Sequence, residues 1–143
     1  MWGDYPPDRE NTHGARWNPR DVPAIYTSCD RDGVLAEAEH QIAMQPVRPR
    51  ARRTVYEVRI TLAATLDLTD PDLLAELGIG NDELGAPDMH ACQQVGGAAE
   101  WLEVDGIFVP SARSSSTNLV VFPSNSRPDA EFEVVSQEEI AAP

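Results

Sequence analysis

The chain has 143 residues, 41% of them hydrophobic, and a formal charge of −13 at pH 7. That length supports one domain with one core, and the acidic surplus disfavours the phosphate backbone of nucleic acid and any anionic membrane surface. All eleven basic residues are arginine, which excludes a Schiff-base lysine and a P-loop lysine and leaves guanidinium forks, backbone amides and hydroxyls for any anion. No apolar run approaches the ~18 residues of a membrane span. The opening, MWGDYPPDRE, lacks the basic-then-apolar pattern of a secretory signal, so the expected location is the cytoplasm. Cys29 and Cys92 are expected there as buried free thiols.

In chain order, residues 1–13 are polar, carry Pro6 and Pro7, and read as an irregular lead-in. Gly14 to Pro23 is a loop restrained by Pro19 and Pro23. Ala24 to Ser28 is a short β-prone run. Asp30 is placed as the N-cap of a helix reaching Met44, with Val34, Leu35, Ala38 and Ile42 on one stripe. At 100° per residue Glu37 falls beside that stripe and can face a cleft while the helix stays docked. Pro46 to Arg53 is a proline-arginine linker, read either as a solvated loop or as a site for an acidic partner. Thr54 to Leu62 alternates as a half-buried strand, with Tyr56, Val58, Ile60 and Leu62 on one face.

Ala64 to Leu68 can extend the sheet, and Thr69-Asp70-Pro71 starts a helix that stops at Gly78. Gly80 to Pro87 reads as a loop and Met89 to Glu103 as a second long helix, where Gly96 and Gly97 admit a closely packed backbone. Strands follow at Ile107 to Val109, Asn118 to Phe122 and Phe132 to Val135, with a serine-rich loop from Pro110 to Thr117. The order predicts a single α+β domain.

Little catalytic chemistry survives inspection on spacing alone. The histidines, His13, His40 and His90, are not at ligand spacing from a cysteine or from one another, so no metal site is expected. Gly96-Gly97 does not follow a strand as a dinucleotide-binding turn must. What stands out is the stretch Gly14 to His40, which sets a cation (Arg16), an aromatic ring (Tyr26) and a carboxylate (Glu37) on three consecutive elements. A phosphate-bearing ligand with a cation-like reacting centre needs that set. On composition alone the ordinary reading leads: a solvated loop arginine, a core tyrosine and a surface glutamate.

The segments GARWNP, PAIYTS and VLAEAEH, followed by CQQVGGAAEWLEVDGIFVPSAR and NLVVF, resemble the RES domain family over about residues 14–122. The family contains toxins of toxin–antitoxin pairs whose antitoxin is an Xre-type helix-turn-helix protein. The resemblance implies an ADP-ribosyltransferase-like fold, with a mixed, split β-sheet core flanked by short helices, and residues 123–143 as a C-terminal strand and tail. It also implies consumption of NAD, as substrate rather than resident cofactor, by hydrolysis or phosphorolysis of the nicotinamide–ribose bond. The alternatives are ADP-ribosyl transfer to a protein and a non-catalytic partner-binding module. By the match Arg16, Tyr26, Glu37 and Ser111 are the catalytic set, with Ser114, Ser115 and Ser116 close to Ser111 in the same loop. Arg16, Tyr26 and Ser111, together with His90 or Cys92, line the NAD pocket. A further family arginine, on a strand upstream of the GRWN-like loop, has no good counterpart here; Arg9 is a poor substitute. An antitoxin partner and a homodimer are family expectations.

Overall fold

A computed structural model of the chain describes residues 1–4, 6–44 and 53–140. The strands are β1 (Trp2–Asp4), β2 (Ile25–Ser28), β3 (Arg53–Thr61), β4 (Thr65–Asp67), β5 (Gly106–Pro110), β6 (Thr117–Val121) and β7 (Glu131–Ile140). The helices are α1 (Arg31–Ala43), α2 (Pro71–Glu76), α3 (Asn81–Gly85) and α4 (His90–Trp101). The strands form one mixed α+β sheet in the order β4-β5-β6-β2-β1-β3-β7, antiparallel except for β4 with β5. Among the described residues no helix is long and apolar enough to cross a membrane.

Alternation along the strands gives the sheet two apolar faces. Ile107, Val109, Val120 and Phe122 join Trp17, Cys92 and Ala99 in the cluster beneath α4, whereas Ile25, Leu119 and Val121 pack with Ile60, Phe108 and Phe132 on the other side. Asp105 is fully buried at the start of this β5–β6 layer. Its carboxylate accepts from the amides of Ala63 and Ala64 at 2.7 and 2.9 Å, closing the turn between β3 and β4.

The sheet has a seam. β1 lies along β3 for its whole length, but it meets β2 at one pair only, Trp2 with Ser28. Beyond that pair no ladder joins them among the described residues, and Asp4 of β1 and Tyr26, Thr27 and Ser28 of β2 all line the cleft described below.

Several expectations change. The lead-in is not wholly irregular, because Trp2–Asp4 is an internal strand of the sheet. The segment expected as a loop from Gly80 to Pro87 contains α3, whose Glu83 carboxylate accepts the Gly80 amide at 2.9 Å. The last strand runs ten residues rather than four. Its register against β3 shifts between Glu57 and Val58, leaving Val135 as the extra residue of a bulge. Val58 is buried while Arg59 and Thr61 are exposed, as a half-buried strand requires, and the exception is Val55, which is buried on the opposite face. Both cysteines are free; Cys92 is buried as expected, but Cys29 is exposed at the end of β2. The linker from 46 to 52 lies outside the described residues.

Gly96 fixes how closely α4 approaches the chain before β2. A Cβ there would overlap the Trp17 carbonyl oxygen, whereas at Gly97 the nearest atom is Pro19 Cγ at 3.2 Å. Gly96→Ala is therefore expected to cost at least ~2 kcal/mol despite a gain in helix propensity of about 1 kcal/mol. Gly97→Ala should be close to neutral. Denaturant midpoints of the two variants check this; equal midpoints would remove the packing argument.

Candidate active site

The three residues Arg16, Trp17 and Asn18 point in three directions. Trp17 is buried in the core, and Asn18 is fully buried as a polar hub. The Asn18 Nδ2 donates to the carbonyls of Val22 and Asn11, at 2.8 and 3.2 Å, and its own carbonyl accepts from Ala15 N at 3.1 Å. Gly14 supports this tight loop with φ +98°, a conformation that favours glycine. Gln93, from α4, donates to the Ala15 carbonyl at 3.0 Å. Arg16 is left facing the cleft, where its Nη1 donates to the Glu83 carbonyl of α3 at 3.1 Å.

Tyr26 rises from β2 under the same loop. Its hydroxyl accepts from Trp17 N at 2.9 Å and donates to Asn18 Oδ1 at 2.6 Å. Burial holds the phenol well above the usual tyrosine range, outweighing the two loop contacts and nearby Arg16. It therefore stays neutral and is occupied in holding the loop, while the residue lines the cleft.

On the opposite wall, α1 is pinned at its start. Asp30 caps it, with Oδ1 accepting from Gly33 N at 2.6 Å and from the Ser116 hydroxyl at 2.9 Å. Any Cβ on Gly33 would overlap Ser28 Oγ, so the first turn sits directly on the end of β2. One turn later Val34 and Ala38 are buried, and Glu37 lines the cleft. The Ser111 hydroxyl donates to Glu37 Oε1 at 3.2 Å and accepts from Arg113 N at 3.1 Å. The β5–β6 loop is thus tied to α1 at both ends.

These walls enclose a cleft of about 580 Å³. Four of the eleven arginines line it, namely Arg9, Arg16, Arg53 and Arg113, with His13, His40 and the carboxylates Asp4, Glu10 and Glu37. Arg53 is held by Asp4 at 3.0 Å. In a protein of charge −13, four arginines against three carboxylates make the cleft less acidic than the chain as a whole, and Arg16, held by a neutral carbonyl, is placed to meet an anion. Among the described residues, no group of three histidines, cysteines or carboxylates could hold a metal ion.

The structure thus gathers Arg16, Tyr26 and Glu37 around one cleft and places Ser111, buried behind Glu37, as the partner of that carboxylate among the loop's serines. It does not bring His90 there. His90 is exposed at the first turn of α4, with its amide turned to Asp88 at 2.9 Å, and Met89 lines the cleft instead. Cys92 lies beneath the cleft, 3.9 Å from the Glu83 carbonyl, and burial pushes its thiol up despite the opposing pull of Arg16. Sequence reasoning missed Asn18, Gln93 and Glu83 as positioning residues. The first two sit inside quoted motifs, whereas Glu83 acts through a backbone carbonyl that no side-chain pattern reveals.

A model of the RES domain matches residues 2–142. This chain belongs to the RES domain family. The match takes in the N-terminal strand and β7 as well as residues 14–122, which carried the resemblance. Among curated relatives, NAD(+) phosphorylase MbcT of Mycobacterium tuberculosis and of Mycobacterium bovis is 31% identical over 122 residues. The alignment covers 80% of this chain and 64% of the relatives, so the chain spans just under two thirds of their length. A chain of the M. tuberculosis MbcT–MbcA toxin–antitoxin complex superposes with a TM-score of 0.82 at 26% identity, covering 99% of this RES domain and 82% of that chain.

The Tyr26 hydroxyl carries a pH signature. An unfolded chain releases this proton near pH 10, and the fold retains it, so alkali favours unfolding. Stability should fall above about pH 10 by up to ~1.4 kcal/mol per pH unit. Tyr26→Phe should lack that component while losing ~1–3 kcal/mol at neutral pH, because Trp17 N and Asn18 Oδ1 lose their partner. Urea titrations of both proteins from pH 8 to 11 test this; parallel curves would contradict it.

Proposed function

We propose that this RES domain cleaves the nicotinamide–ribose bond of NAD, with inorganic phosphate as the favoured acceptor, as a toxin. The observation that carries the reading is the carboxylate of Glu37, held by Ser111 at 3.2 Å and lining a cleft that also carries Arg16. The name of the MbcT relatives supports phosphate over water.

The chemistry needs one carboxylate and no general acid. The glycosidic nitrogen of NAD is already cationic, so nicotinamide departs neutral, taking the electron pair of the C1′–N bond. Positive charge then develops on the ribose, and Glu37 stabilises it; fixed charge aimed at developing charge is the efficient arrangement. Ser111 keeps the carboxylate oriented, and Arg16 forks to the pyrophosphate. A phosphate oxygen then forms the new bond at C1′, giving ADP-ribose 1″-phosphate. With water as acceptor, Glu37 would take the proton. Tyr26 serves by shaping the pocket and holding the Arg16 loop.

The MbcT–MbcA complex supports a protein antitoxin that restrains this domain. We extend the reading to an Xre-type helix-turn-helix partner, a homodimeric toxin and action in the cytoplasm.

Glu37→Gln should lower nicotinamide release by on the order of 10²–10³ and leave the circular dichroism spectrum unchanged. Parental turnover by this variant would refute the assignment. Products from the parent protein, analysed with and without phosphate, identify the acceptor. ADP-ribose 1″-phosphate appearing only with phosphate supports phosphorolysis, free ADP-ribose in both supports hydrolysis, and label from radiolabelled or biotinylated NAD retained on protein supports transfer.

A further inference from the structure

Asn118 lies on the cleft floor and has an unmet need. It stands opposite Ser28 on β2 and Val109 on β5, and opposed residues of antiparallel strands project to the same face. Tyr26, two residues from Ser28, shares that face. Asn118, Ser28 and Tyr26 all line the cleft. Its Oδ1 is buried and has no hydrogen-bond partner among the described residues. Buried acceptors are nearly always satisfied, and an orphan at a ligand cleft points to a donor that arrives with the ligand.

We propose that Asn118 is a specificity-determining residue that receives the carboxamide of the nicotinamide ring. The inference rests on the NAD reading above. Its Oδ1 accepts from the carboxamide N–H, and its own amide N–H answers the carboxamide oxygen, an amide-to-amide pair. A ribose hydroxyl fits less well. The Glu37–Ser111 pair already offers the sugar a charged acceptor, whereas a neutral acceptor beside a donor matches a primary amide. Tyr26, on the same face and lining the cleft, gives the flat ring an aromatic surface. A carboxylate in place of the carboxamide would set oxygen against oxygen and be rejected.

The test uses the whole chain as wild type, Asn118→Leu and Asn118→Asp. Substrates are NAD, its 3-acetylpyridine analogue, which lacks the N–H, and nicotinic acid adenine dinucleotide. Comparing proteins on one pair of substrates cancels the intrinsic reactivity of the leaving groups. In Asn118→Leu the kcat/KM preference for NAD over the acetylpyridine analogue should shrink by on the order of 10- to 100-fold, through loss on NAD alone. Asn118→Asp should keep that preference and reject the nicotinic acid dinucleotide more strongly. An equal fall on both dinucleotides in Asn118→Leu would mean a structural or ribose-binding role and overturn the proposal. Should the leucine variant not fold, Asn118→Thr carries the same comparison. If wild type releases no nicotinamide, the NAD reading fails separately, and binding of free nicotinamide decides the inference. A thermal shift with nicotinamide but not 3-acetylpyridine, lost in Asn118→Leu, supports it; no discrimination in wild type overturns it.

Discussion

The Tyr26 hydroxyl is the contact on which the site depends. It joins the sheet floor to the loop above by accepting from Trp17 N and donating to Asn18 Oδ1. With those two bonds made, Trp17 is committed to the core, Asn18 to the loop interior, and Arg16 to the cleft. The position of the guanidinium thus follows from packing two residues away. Its second anchor, the Glu83 carbonyl, stops the long side chain from sweeping through solvent, and a pre-oriented fork loses less entropy when it meets an anion.

A matching economy governs the opposite wall. The β5–β6 loop is tied to α1 through Ser111 to Glu37 and through Ser116 to Asp30, so helix and loop form one unit across the ends of β2 and β6. The helix is seated by Gly33 on Ser28. A carboxylate held in this way does not need to reorganise as charge builds on a substrate. Four arginines line the same cleft.

Much of this was legible in the sequence where one local rule decided the outcome. Asp30 as a cap, Val34 and Ala38 as the buried stripe with Glu37 beside it, and Asp70-Pro71 as a helix start all follow from single-element chemistry. Gly96 read correctly as a point of close approach, although the sequence did not say that the visitor was Trp17. What was not legible depends on partners distant in the chain. Trp2–Asp4 has no strand-like pattern of its own and becomes a strand because β3 runs alongside. Val135 is a bulge only in relation to β3. His90 is one residue from Met89, yet helical geometry turns one outward and leaves the other at the cleft. The buried, unpartnered oxygen of Asn118 likewise exists only once β2 and β5 flank β6.

The long terminal strand gives the acidic composition a second purpose. β7 ends the sheet order, and it exposes Val134 and Val135 at its bulge. A bare rim of that length would recruit strands from other molecules. Carboxylates at Glu131, Glu133, Glu138 and Glu139 punctuate it, two of them steadied by Arg59 and Arg31, and the bulge interrupts its regular rise. Mutual repulsion along this border discourages stacking of copies into fibres, so the surplus of negative charge also acts as a guard against self-templating.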